Sequence, residues 1–360
     1  MLKIVRSWFD RYFADEEAVL LALLLTVGLI VIVTMGTILA PMIASVIIAF
    51  LMQGMVTRLK QMGVPHLVSV SIAFTVLVGT IAAGLLILLP SLWQQSVHLF
   101  SEAPRMLKEW KEVLLLLPHQ YPQFISETQI EQLITLTAKE LGSFGQGVLS
   151  FSVANLPILI AILIYLVLVP ILVFFFLKDA DRILVWLGSF LPKQRPVMSK
   201  IWHEMNDQIA NYVRGKVIEI LAVAVASYVA FAILGLNYAL LMAIAVGLSV
   251  VIPYIGAAAV TLPVAMIAFF QRGWTSEFYY LLLVYGIIQA LDGNILVPLL
   301  FSEAVNLHPV AIILAVLVFG GFWGFWGVFF AIPLATLIKA IYNAWPIREQ
   351  NNSRKEEVII

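Results

Sequence analysis

The residues able to do chemistry in an otherwise apolar chain are concentrated between Gln289 and Pro309. The stretch runs Gln289-Ala-Leu-Asp292-Gly293-Asn294, then Pro298, then Ser302-Glu303 and Asn306-Leu307-His308-Pro309, with long apolar segments on both sides. A charged side chain costs roughly 2.5–3.5 kcal/mol at the centre of a membrane helix, so Asp292 is poor material for a lipid-facing surface. Pro298 and Pro309 each remove a backbone donor. Irregular backbone at membrane depth survives only where protein or a water-filled cavity surrounds it. The stretch therefore reads as the lining of a polar site. Asp292 is the first candidate to hold a proton or cation, with Asn294 and Gln289 as neutral co-ligands and Glu303 and His308 near an outer mouth. The plainer reading puts Asp292 at a water-exposed helix end. His308 titrates near neutral pH, but a lone His before Pro is more often a capping or boundary residue.

The elements that must position these residues follow from composition. Hydrophobic residues make up 62% of the 360-residue chain and charged residues 12%, against about half and a quarter in a soluble domain. With apolar runs of about 20 residues recurring, the expected fold is all-α: a polytopic α-helical membrane protein of about eight membrane segments. Barrel strands would alternate apolar and polar residues, and these runs do not. The net charge is zero, so nothing suggests a nucleic-acid partner. The absence of cysteine excludes disulfides, thiolate metal sites and cysteine nucleophiles. No metal site or cofactor is expected.

In chain order, residues 1–89 carry N-terminal membrane helices, with Pro41 opening a short second span (42–56). The third span ends at Leu89-Pro90-Ser91, which reads as a helix stop followed by a fresh start. Residues 90–150 mix charges of both signs with apolar residues and read as a small helical extracytoplasmic insertion, the plain interpretation being a solvated connector. Residues 151–345 form the membrane core, interrupted by a loop at 178–215. Between Lys178 and Lys216 lie seven basic residues, which places that loop in the cytoplasm. Within it Ile201, Met205, Ile209, Tyr212 and Val213 share a helix face suited to the membrane surface. Arg214 and Glu219, one turn into the next span, are a candidate pair. Glu219 could instead snorkel to water, and Arg214 could be a plain positive-inside anchor. Residues 346–360 form a polar, cytoplasmic tail.

Two C-terminal segments resemble each other. Leu236-Asn-Tyr-Ala is followed at a distance by Gly256 and Pro263, and Leu307-His-Pro-Val by Gly327 and Pro333. Paired Gly/Pro-interrupted segments are a sequence pointer to a transporter binding site. Backbone freed by Pro253, Gly256 and Pro298 would supply carbonyl ligands, and Pro309, Gly324, Gly327 and Pro333 are further points of broken helix. If each segment crosses once the two units are parallel; if each is a re-entrant hairpin they are inverted. Gly320 and Gly324 also form a GxxxG pair for close helix packing.

At these residues the chain resembles the autoinducer-2 exporter family of permeases, and within it the PerM type. The resemblance rests on Phe174-Phe-Phe-Leu-Lys178-Asp179, Asn211-Tyr212-Val-Arg214-Gly215-Lys216, Ile252-Pro253-Tyr254-Ile255-Gly256, Gln289-Ala-Leu-Asp292-Gly293-Asn294, Asn306-Leu307-His308-Pro309, and Trp323-Gly324-Phe-Trp326-Gly327 through Pro333. It implies a multi-pass inner-membrane transport protein, homo-oligomeric, with a small-molecule or ion substrate. Exchange of sodium or protons is one mode it admits. The signalling molecule in the family's name does not transfer with it.

Together these readings give a secondary transporter, not an enzyme. A Gly-x-x-x-x-Gly-Lys-Ser/Thr loop for ATP is absent. His203-Glu204 lacks the second zinc-protease His, Asp207 standing there. No Gly-x-Ser-x-Gly elbow occurs, and Asp292 has no second membrane Asp to form an aspartyl protease. The competing class is a non-transporting oligomeric scaffold or assembly factor whose residues 90–150 recruit a partner.

Overall fold

The computed structural model describes residues 16–115, 126–128, 130–132, 134–136, 138–139, 142, 156–253, 255–301 and 307–345. Among them every regular element is helical. Among the described residues seven helical segments are long and apolar enough to cross a membrane, or eight if the bent pair around Asp179 is one span. The protein is a polytopic α-helical membrane protein.

Helix α1 (Glu16–Gln61) is one run of 46 residues with Pro41 inside it, not at a start. It contains two apolar stretches, Glu16–Gly36 and Ile38–Gln61, of 21 and 24 residues. The second is thus long enough to span, contrary to the short segment expected. Helix α2 (His66–Ala83) leads through a π-helical turn at Gly84–Leu88 into α3 (Leu89–Leu114). The expected stop at Pro90 does not occur. A proline ring clashes with the carbonyl four residues back. Here the N–H of Leu89 reaches Gly84, five residues back, and the widened turn makes room for the ring. The same device recurs downstream. Helix α9 (Ser276–Leu291) passes through a π-turn at Asp292–Leu296 into α10 (Val297–Phe301). The Val297 N–H bonds the Asp292 carbonyl and Pro298 follows directly. Pro298 therefore sits in a continuous helical run, not in unwound backbone.

The remaining elements are α4 (Leu156–Lys178), α5 (Ala180–Ser189), α6 (Pro196–Ile233), α7 (Ala239–Ser249), α8 (Ile255–Arg272), α11 (Pro309–Phe329) and α12 (Ala331–Ala344). α4 and α5 meet at a bend of 78°. The chain divides into two units.

The first unit comprises Met1–Gly54, Phe175–Gly215 and Leu300–Ile360. Its core joins Leu21 of α1, Met198, Ile201 and Met205 of α6, and Ala340 of α12. The amphipathic face expected to lie on lipid is therefore covered by protein. Glu17, itself buried, accepts the backbone N–H of Met198 at 2.7 Å. A carboxylate there satisfies an orphan donor in the first turn of α6 and faces the positive end of its dipole. Tyr212 donates to the carbonyl of Phe329 at 2.9 Å and packs its ring against Phe301 and Phe329.

In this unit α11 folds back on itself at Gly324, whose φ of 57° and ψ of −135° lie outside helical space. Residues 319 and 327 would stand about 12 Å apart along a straight helix. Instead a Cβ on Gly327 would collide with the Phe319 carbonyl. Pro333 is tolerated because it lies in the first turn of α12, where the missing N–H has no helical partner.

The second unit comprises Met55–Phe174 and Lys216–Leu299. Its core gathers α6 to α9, with Val223, Phe231, Met242, Val246, Val260, Val264, Leu281 and Tyr285 among its buried members. A Cβ on Gly247 would meet the Ile220 carbonyl at 2.8 Å, so only glycine lets α7 pack this closely on α6. Helices α7 and α8 form a hairpin closed at both ends. At the tip a Cβ on Gly256 would collide with the Ser249 carbonyl. At the base Gln271 donates to the Gly235 carbonyl at 2.7 Å and accepts the Asn237 N–H at 2.8 Å. Arg272 donates to the Leu234 carbonyl and pairs with Glu277 at the start of α9. The two Gly/Pro-interrupted segments are thus helical hairpins, each turning where the sequence places its glycines and prolines. With 11 residues, α7 is about 16 Å long and could not cross a bilayer core of about 30 Å.

Candidate functional site

Two helix lengths bring Lys216 and Asp292 of the second unit to one level. The hairpin base joins the end of α6, the start of α7, the end of α8 and, through Arg272–Glu277, the start of α9. From that end Lys216 lies about 25 Å back along α6, and Asp292 lies about 24 Å along α9. The hairpin carries Val250, at the C-terminus of α7, about 16 Å from the same end, and the Lys216 side chain reaches back to it, Nζ donating to its carbonyl at 3.0 Å. The last carbonyls of a helix have no partner within it and carry its negative end, so an ammonium suits them.

Lys216 also pairs with Glu219, one turn on, at 2.7 Å. The two residues are only 3% and 2% exposed. An isolated ion would be costly here, and the pair with its carbonyl partner satisfies both charges. Asp292 interacts electrostatically with Lys216 and with Glu219. It opens the π-turn, and its Oδ1 is buried without a hydrogen-bond partner among the described residues. The site is therefore one ammonium and two carboxylates, with the Asp292 Oδ1 left without a partner among the described residues.

Beside it runs a directional chain of neutral groups. Gln289 donates to the Tyr285 hydroxyl at 2.7 Å. Tyr285 and Thr261 hydroxyls are 3.0 Å apart, and Thr261 donates to the Ala257 carbonyl at 2.7 Å. With Thr261 donating onward, Tyr285 donates to Thr261, so each hydroxyl gives one bond and receives one. Tyr285, Gln289 and Asp292 recur at helical spacing on α9 and share a face. The chain ends next to Gly256, at the hairpin tip. It fixes α8 against α9 and aims that face inward.

The residues singled out from sequence divide accordingly. Glu219 and Asp292 lie within electrostatic range of each other, Gln289 stands one turn before Asp292 on the same face of α9, and Pro253 and Gly256 lie in the hairpin turn. Asn294 is exposed, and its amide donates to the Ala290 carbonyl at 2.8 Å where the helical ladder changes register. Arg214 is exposed with its guanidinium 5.3 Å from the Phe50 ring centroid, while the partner of Glu219 is Lys216. His308 is the N-cap of α11, its Nδ1 accepting the Val310 N–H at 3.3 Å. Pro309 holds the first helical position there. Glu303 lies outside the described residues. Sequence reasoning counted Lys216 only as the last residue of a basic loop. The signal that could have found it is helical spacing: Lys216 and Glu219 are i and i+3 on a helix whose remaining face is apolar.

Ionisable groups on neighbouring helices of an apolar bundle, beside a helical hairpin, are an arrangement known from membrane transport proteins. Comparison with known proteins agrees. The family described as "AI-2E family transporter" matches residues 19–347, and the chain belongs to it. It is similar to "Putative permease PerM" of Escherichia coli (strain K12), 45% identical over 346 residues that cover 96% of this chain and 98% of the relative. It is also similar to two Bacillus subtilis (strain 168) proteins. "Putative transport protein YueF" is 28% identical, over 86% of this chain and 85% of the relative. "Putative transport protein YrrI" is 25% identical, over 85% and 86%.

Proposed function

We propose that this protein is a secondary transporter of the cytoplasmic (inner) membrane, moving a small solute or ion in exchange for, or together with, a proton or sodium ion held at Asp292. The observation that carries this reading is the buried, unpartnered Oδ1 of Asp292 beside the Lys216–Glu219 pair. A polar atom shielded from water without a partner is strongly disfavoured unless something binds it. The hairpin tip supplies the second ingredient, backbone that can approach an ion at depth.

The membrane topology in this reading has crossings by both halves of α1, by α2, α4, α6 and α9–α10, and two re-entrant hairpins, α7–α8 and α11–α12. With the basic loop between α4 and α6 in the cytoplasm, α6 runs outward and is followed by a hairpin entering from outside. α9–α10 runs inward and is followed by a hairpin entering from inside. These are inverted repeats, a recurrent plan of secondary transporters. Glu303 then lies on the cytoplasmic side and not at an outer mouth. The homo-oligomeric state implied by the family resemblance is part of the same proposal.

The test is flux. The purified protein is reconstituted in liposomes, proton and sodium gradients are imposed in turn, and wild type is compared with Asp292→Asn. Gradient-dependent flux in the wild type that disappears in the variant is the expected outcome. Equal flux in both removes Asp292 from the centre of the mechanism. No flux in either, with both folded, favours the scaffold class, under which deletions in residues 90–150 should be the damaging ones.

A further inference from the structure

From the charges around Asp292 we infer that the Lys216–Glu219 pair sets the valence of the ion the site accepts, admitting one monovalent cation and rejecting divalent ones. The inference rests on the reading of Asp292 as the coupling site. Lys216 and Glu219 pair on α6, and Asp292 on α9, its Oδ1 buried without a hydrogen-bond partner among the described residues, stands at the same depth and within electrostatic range of both. Lys216 is held twice, by the Glu219 carboxylate at 2.7 Å and by the Val250 carbonyl at 3.0 Å, so it acts as a built-in cation. With Glu219 neutralised by it, the cluster carries a single uncompensated negative charge, on Asp292.

In a buried setting net charge is penalised steeply. One added positive charge brings the cluster to neutrality, and a divalent ion would overshoot it. The donor set points the same way. The carboxylate of Asp292 and the amide oxygen of Gln289, one turn back on the same face of α9, are hard oxygen ligands. Divalent cations bound through such oxygens draw on several ligands, commonly more than one of them a carboxylate, and Glu219 is already engaged. On this reading Lys216 contributes without touching the transported ion. It occupies the second carboxylate that a calcium or manganese ion would need.

Charge counting makes unequal predictions for the variants. Glu219→Gln leaves Lys216 opposite Asp292 and makes the empty cluster neutral, so cation binding should be lost although Glu219 is not a ligand. Lys216→Gln frees Glu219, leaves two negative charges, and should open the site to divalent ions. Lys216→Gln/Glu219→Gln restores a single negative charge and should return the monovalent preference.

The experiment is thermal unfolding of the full-length protein in detergent, followed by tryptophan fluorescence. Sodium, lithium, calcium and manganese chlorides are titrated at constant ionic strength against an organic cation, at two pH values. In the wild type the midpoint should rise with sodium or lithium, or on acidification if the single charge is a proton, and not with calcium or manganese. A calcium or manganese response should be gained in Lys216→Gln and absent from the double variant. If Lys216→Gln does not fold, Glu219→Gln decides: loss of the monovalent response supports the inference. Divalent stabilisation of the wild type equal to that by sodium, or an undiminished monovalent response in Glu219→Gln, overturns it. A monovalent response that persists in Asp292→Asn overturns the site assignment itself, a different failure.

Discussion

Replacing Lys216 with Met tests whether the buried pair holds the second unit together. Lys216 and Glu219 are almost entirely out of water. Removing the ammonium strands the Glu219 carboxylate in apolar surroundings and leaves the Val250 carbonyl without its donor. Breaking a buried pair from one side costs about 3–5 kcal/mol, and the orphaned carbonyl is part of that loss, not an addition to it. The double variant Lys216→Met/Glu219→Gln removes the stranded charge, so it should be more stable than Lys216→Met alone, with a coupling between the sites of about 2–3 kcal/mol. The measurement is equilibrium unfolding in mixed micelles of a mild detergent and dodecyl sulfate, read from the protein's nine tryptophans. A Lys216→Met protein within about 1 kcal/mol of wild type, or a double variant as unstable as the two singles added, would refute the argument that this pair is buried and mutually satisfied.

Other consequences follow from the hairpins. Gly256→Ala and Gly327→Ala each push a methyl group into a backbone carbonyl. Each should lower stability by about 1–3 kcal/mol, whereas Gly286→Ala on α9, with open space around it, should be neutral or raise stability by up to about 1 kcal/mol. The same unfolding assay ranks the three. Tyr212→Phe strands the Phe329 carbonyl and should cost about 1–3 kcal/mol; a variant unfolding like wild type would show that this bond contributes nothing. Topology can be read directly, because a chain without cysteine gives no background. A single cysteine at Gly273, next to the hairpin base, should react with an impermeant maleimide from the same side as one at Gly235. Labelling of the two from opposite sides would exclude the hairpin in favour of a single crossing.

The sequence by itself determined the solvent and the secondary structure of this protein. A chain with this much hydrophobic surface and so few charges has to satisfy its backbone within helices in a membrane. The Gly and Pro pairs marked where both C-terminal segments turn, because those residues change which backbone conformations are accessible regardless of context. Asp292, Gln289 and Glu219 were legible as unusual because an ionisable or amide group in an apolar run is costly wherever it ends up. What the sequence left open was decided by contacts between residues far apart in the chain. Whether a Gly/Pro break bends a helix, widens it or reverses it depends on what packs beside it. Pro90 and Pro298 are absorbed by π-turns, while the chain reverses at Gly256, which presses against the Ser249 carbonyl, and at Gly324, whose positive φ lets Gly327 press against the Phe319 carbonyl. The partner of Glu219 was likewise a tertiary matter. Lys216 looked like the end of a cytoplasmic loop, and it becomes the buried cation of the site only because the α7–α8 hairpin brings the Val250 carbonyl to it and α9 brings Asp292 alongside.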